Sequence, residues 1–146
     1  MYDVILVPTD GSDAARRAGT YAINLAIETG ATLHVVYVVD ESAATLLFSS
    51  QPLSDMLKAF TEAGEQAVEE IVIAATEAGV EATTEIVRGI HINEAIVSAA
   101  ERADADLIVM GTYGARGIEQ VLGSTTTRVL SQSSIPVLAV PAEKRE

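Results

Sequence analysis

Two short stretches, Val4-Ile5-Leu6-Val7 and Leu107-Ile108-Val109-Met110, are apolar at every position. Successive side chains of a strand point to opposite faces, so an unbroken apolar run must be covered on both. A water-facing sheet would alternate instead. These runs therefore predict central strands of a parallel sheet sandwiched between helices.

The rest of the chain supplies those helices. Pro8-Thr9-Asp10-Gly11-Ser12 interrupts the first run, and Ser12 is placed to cap a helix whose Ala15, Ala18, Ala22, Leu25 and Ala26 share one face. Gly30 ends it, and Leu33 to Val39, β-branched and apolar with Tyr37 inside, predicts strand two. Asp40 to Gln51 has no clear period. A long helix then runs from about Pro52 to Ala78, with Leu53, Leu57, Phe60, Gly64, Ala67, Val68 and Ile71 near one face and Gly79 closing it. Strand three is predicted over Thr83 to Val87, with Gly89 opening a turn. A third helix buries Ile92, Ile96, Ala99, Ala100 and Ala103. A fourth helix runs from about Ser124 to Gln132, and a last strand covers Val137 to Val140.

Strands alternating with helices in this way predict an α/β fold: a doubly wound five-stranded parallel sheet with helices on both faces, because βαβ crossovers are right-handed. With strand order 3-2-1-4-5 the winding reverses between strands one and four. One domain over residues 1–146 is expected, since 146 residues at 49% apolar content suffice for a single core.

Composition narrows the function. The absence of cysteine removes disulfides, thiolate catalysis and Cys-based zinc sites. His34 and His91 are the only histidines; mid-strand His34 is expected to be structural, and His91, at a helix entrance, a cap or a surface residue. A net charge of -12 repels phosphate backbones and anionic membranes, and no basic cluster opposes it, so neither nucleic acid nor membrane is an expected partner. No apolar run nears the roughly 20 residues that cross a bilayer, and no signal segment opens the chain, so a soluble cytoplasmic protein is expected. The acidic excess fits an organism with high internal salt or an ordinary acidic cytosolic protein.

Ligands of open α/β sheets bind outside the carboxyl ends of the strands where the winding reverses. Two loops meet that place: Pro8 to Ser12, and the glycine-spaced segment from Gly111-Thr112-Tyr113-Gly114 to Gly123-Ser124-Thr125. Glycines let backbone N–H groups approach an anion, and a helix start supplies unbonded donors with a favourable dipole, which suits phosphate. The same glycines also serve a tight strand-to-helix connection. Arg116 is the fixed cation of this loop, able to meet a terminal phosphate or to stay in solvent.

Taken together, Pro8-Thr9-Asp10-Gly11-Ser12, Asp106-Leu107-Ile108-Val109-Met110-Gly111, the pattern Gly111-x2-Gly114…Gly123-Ser124 and the closing Ile135-Pro136-Val137-Leu138-Ala139-Val140 resemble the universal stress protein family over essentially the whole chain. The resemblance implies a Rossmann-like, adenine nucleotide alpha hydrolase-like fold and an adenine nucleotide ligand: ATP, or AMP or ADP, with Mg2+ to offset its charge. On matching positions it implies that Pro8, Thr9 and Asp10 grip ribose and adenine and that the Val39 backbone meets the adenine edge. Gly111, Gly114, Gly123, Ser124 and Thr125 would serve the phosphates, and Met110 is a further expected cofactor-binding residue. It also implies a homodimer through the last strand, Val137–Val140. Two positions depart from the family pattern: Ala115 to Leu122 is one residue shorter than the usual glycine spacing, and Tyr113 stands where histidine is common.

Catalysis is not expected beyond slow ATP hydrolysis, because the phosphate loop has no lysine and no Gly-x4-Gly-Lys-Ser/Thr pattern. A phosphoacceptor receiver would need an aspartate where strand three ends in Val87-Arg88-Gly89. A flavin carrier would need stacking aromatics, which make up only 4% of the chain. The expected role is a nucleotide-responsive regulatory or stress sensor; the alternative is a dimeric interaction module that binds no nucleotide.

Overall fold

The computed structural model describes residues 2–41, 53–112 and 124–141. Its elements are β1 (Val4–Pro8), α1 (Asp13–Thr29), β2 (Thr32–Asp40), α2 (Leu53–Glu77), β3 (Ala82–Gly89), α3 (Ile92–Arg102), β4 (Leu107–Gly111), α4 (Ser124–Gln132) and β5 (Val137–Val140). The sheet order is β3-β2-β1-β4-β5, every neighbouring pair is parallel, and the winding reverses between β1 and β4 as expected.

The unbroken apolar runs divide between two cores. Ile5, Val7, Leu33, Val35, Leu107 and Val109 join Ala18, Ala22 and Ala26 of α1 and Val68, Ile71 and Ala75 of α2 on one face. Leu6, Val36, Ile108 and Met110 join Ile96, Ala99 and Ala100 of α3 and Val129 of α4 on the other. Full burial of each Ile, Leu or Val contributes about 1.5–3 kcal/mol, and β1 spends Ile5 and Val7 on one core and Leu6 on the other. The alanines of α1 and α3 let their helices lie close on the sheet.

Helix ends follow local chemistry. The Ser12 hydroxyl accepts from the Ala15 N–H at 3.2 Å, and Gly30 and Gly79 take left-handed φ values of 77° where the chain leaves α1 and α2. After α3 that conformation falls to Asp104 (φ 53°), with the Ala105 N–H returning to the Ala100 carbonyl at 2.9 Å. His34 is structural: Nδ1 lies 2.7 Å from Thr83 Oγ1 and Nε2 2.9 Å from Glu85 Oε1. Arg102 of α3 donates to the other Glu85 oxygen at 3.0 Å. His91 occupies the N-cap position of α3, exposed, with no capping bond from its side chain.

Two expectations are corrected. Gly89 does not open a turn but is the last residue of β3, paired with Asp40, because the β2–β3 ladder extends regardless of the polar Arg88 opposite Val39. Ala103 is not in the buried stripe of α3 but caps its carboxyl end, half-buried.

Helix α2 carries a glycine with a packing reason. A Cβ on Gly64 would stand 2.5 Å from Cδ1 and 2.8 Å from Cγ of Tyr37, so the tyrosine ring lies directly against the helix backbone. Elsewhere in a helix, Gly→Ala stabilises by roughly 1 kcal/mol. Here overpacking should outweigh that gain, and Gly64→Ala is expected to lose about 1–2 kcal/mol in urea unfolding; a gain in stability would show that the ring moves aside freely.

Candidate nucleotide site

β1 and β4 are fastened at their amino ends. The Asp106 N–H donates to the Val4 carbonyl at 2.8 Å, and Asp106 Oδ2 accepts from the N–H groups of Asp3 (2.8 Å) and Val4 (3.0 Å). From there the ladder covers Ile5–Leu6 against Leu107–Ile108 and goes no further, although the strands run on to Pro8 and Gly111. Toward their carboxyl ends the two strands have thus stopped pairing, at the reversal point where ligands of open α/β sheets bind.

One lip is the loop after β1. The Thr9 N–H donates to the Val36 carbonyl at 2.8 Å, keeping the chain beside β2 after β1 ends. Thr9 is buried, and its hydroxyl accepts from the Gly11 N–H at 3.1 Å. Gly11 takes φ 80°, which favours glycine. Asp10 is exposed at the tip, where its Oδ1 accepts from the Ser12 N–H at 2.9 Å. A carboxylate displayed beside backbone fixed at three points suits a pair of hydroxyl donors.

The other lip is the end of β4. A Cβ on Gly111 would stand 2.9 Å from both the carbonyl carbon and the Cβ of Ala14, so the strand end is pressed onto the first turn of α1. The Thr126 hydroxyl donates to the Gly111 carbonyl at 2.7 Å, and the Thr112 N–H to the Val140 carbonyl at 3.0 Å. Thr126 is in the first turn of α4, so its bond ties the start of that helix to the end of β4. Ser124 is exposed and Thr125 half-buried. The first turn of α4 holds no acidic residue, whereas α1, α2 and α3 begin with Asp13, Asp55 and Glu94. A helix start of this kind carries N–H donors and a dipole that favour an anion.

Of the expected site residues, Pro8, Thr9 and Asp10 thus stand at one lip, and Met110, Gly111, Ser124 and Thr125 at or near the other. Met110 turns its side chain into the α3–α4 core. Val39 is buried with Leu57 against Tyr37, Phe60 and Ile86. Gly114, Arg116 and Gly123 lie outside the described residues. Sequence reasoning passed over Thr112 and Thr126. Thr126 is one of three consecutive threonines, and only the tertiary contact with Gly111 distinguishes it.

Tyr37 has its pKa raised, first by burial and then by the negative charge of Asp10, so its phenol stays protonated at neutral pH. Among the described residues no group of three His, Cys, Asp or Glu could hold a metal ion. No helix among them is long and apolar enough to cross a membrane.

The architecture defines a doubly wound α/β protein whose β1 and β4 ends meet at the switch point. The sequence profile of the universal stress protein family matches residues 1–141, and the chain belongs to that family. A universal stress protein of Methanocaldococcus jannaschii is 42% identical over 150 residues, spanning 100% of this chain and 86% of the relative. The solved universal stress protein UspA from Lactobacillus plantarum superposes with a TM-score of 0.82 at 33% identity, covering 95% of this chain and 97% of its own. A universal stress protein solved in complex with cAMP superposes with a TM-score of 0.70 at 26% identity, covering 97% of this chain and 98% of its own.

The fastening of β1 to β4 is open to a pH test. Two backbone donors, Val4 first and Asp3 second, hold the Asp106 carboxyl below the usual carboxylate pKa of about 3.9. A depressed folded-state pKa gives stability that is present above the unfolded value and lost as pH falls through the folded one. Thermal unfolding should therefore show wild type above Asp106→Ala at pH 7, with the two converging as pH falls below the usual carboxylate value of about 4. Parallel curves over that range would contradict the assignment.

Proposed function

We propose that this protein binds an adenine nucleotide, ATP in preference to AMP or ADP, in the crevice between β1 and β4, and that occupancy regulates a partner rather than driving chemistry. The observation that carries this is the pairing of unlike lips: an exposed carboxylate at Asp10, suited to ribose hydroxyls, and an α4 start free of acidic residues, suited to phosphate. The related protein solved with cAMP supports an adenine nucleotide as the ligand class. Pro8, Thr9 and Asp10 hold the nucleoside with the Val39 backbone at the base. Gly111, Ser124 and Thr125, together with Gly114, Arg116 and Gly123, surround the phosphates. A Mg2+ carried by the phosphates would offset charge in so acidic a chain. In this reading the chain is one cytoplasmic domain, and its acidic excess suits high internal salt.

A second reading rests on β5, the edge strand, where Leu138 is exposed and the backbone is open to a second copy. A homodimer through Val137–Val140 belongs to the nucleotide reading as well. It becomes the main function only if no nucleotide binds.

Calorimetric titration with ATP, AMP and adenosine in the presence of Mg2+ separates the two. Saturable ATP binding is expected, weakened about 10- to 100-fold in Asp10→Ala because a hydrogen-bonded charge is lost. Absence of binding by wild type in both dilute and molar-salt buffer would leave the dimeric module.

A further inference from the structure

Tyr37 stands outside the residues assigned to the nucleotide, yet three observations bring it to the Asp10 lip. First, the Thr9 N–H bonds to the Val36 carbonyl, so Thr9 and Asp10 run alongside Tyr37 and Val38. Second, both sides rest on one face of α2. A Cβ on Gly11 would lie 3.7 Å from the Ala67 Cβ, and Gly64, three residues earlier and hence on the same face, carries the Tyr37 ring. Third, the charge of Asp10 acts on the Tyr37 hydroxyl and helps to keep it protonated.

The ring has little freedom. It is wedged against the α2 backbone at Gly64, where a methyl group would meet Cγ and Cδ1 rather than the far end of the side chain. Together with Phe60 and Ile86, it packs against the buried pair Val39 and Leu57. A phenol fixed in this way is a donor of defined position, and an ionised carboxylate accepts only.

We propose that Tyr37 is the positioning residue for Asp10: wedged at Gly64, it orients the carboxylate for the two ribose hydroxyls and so sets selection of ribonucleotides over their deoxy forms. The assignment rests on the reading that Asp10 receives those hydroxyls. Tyr37 itself touches neither base nor phosphate. Its removal is therefore felt only by ligands that possess the hydroxyls.

The test compares ATP with 2′,3′-dideoxyATP on wild type, Tyr37→Phe and Gly64→Ala. Tyr37→Phe keeps the ring and its packing. It is expected to weaken ATP by about 3- to 10-fold, through loss of the polar interaction between the phenol and the Asp10 carboxylate, and dideoxyATP by less than about 2-fold. Gly64→Ala keeps the hydroxyl but displaces the ring, and is expected to show the same selective loss. Equal weakening of both ligands would reduce Tyr37 to a packing residue and overturn the proposal, as would unchanged ATP affinity in both variants. Failure of wild type to bind either nucleotide would overturn the proposal together with the reading beneath it, whereas wild-type binding that Asp10→Ala weakens and Tyr37→Phe does not would overturn the proposal alone.

Discussion

β1 and β4 are held together at their amino ends and stop pairing toward their carboxyl ends, and the proposed site depends on that difference. At the amino ends, Asp106 takes two backbone N–H groups of the segment leading into β1 and returns one of its own. Past Leu6 and Ile108 the ladder ends, and each strand turns to a different support: β1 to the Val36 carbonyl through Thr9, β4 to Val140 and Thr126 through Thr112 and Gly111.

The two cores make this arrangement rigid. A parallel strand cannot turn straight back to its neighbour, so each crossover lays a helix on one face, and β1 is pinned from both by Ile5, Val7 and Leu6. Small residues then decide how near the helices come. Ala14 lies against Gly111, and Gly64 admits the Tyr37 ring. Both contacts lie toward the crevice end of the sheet, so close packing there fixes the lips in place.

Much of this was legible in the sequence, for reasons that differ by element. The runs at Val4–Val7 and Leu107–Met110 had to be central strands because both of their faces are apolar, and Gly30 and Gly79 marked helix ends because φ 77° favours glycine. Asp104 performs the same turn without the signal. The end of β3 was misread at Gly89, since ladder pairing with Asp40 is a tertiary fact that no local pattern carries. Asn93, buried on α3 and donating to Gln132 at 2.7 Å, was equally invisible, because a polar residue in a helix reads as solvent-facing until its partner is known. The lips at Asp10 and Ser124 followed from topology and family resemblance, whereas Thr126 and Tyr37 needed the contacts themselves.

The most direct measurement of the central claim is amide hydrogen exchange with and without saturating ATP, resolved to single residues. Slowed exchange is predicted at Asp10 to Ser12, at Gly111–Thr112 and over the first turn of α4 from Ser124, with the distant ladder between Leu33 and Ala82 unchanged. Binding of ATP accompanied by protection confined to β3 or to the edge of β5, with both lips unaffected, would contradict the placement of the nucleotide between β1 and β4.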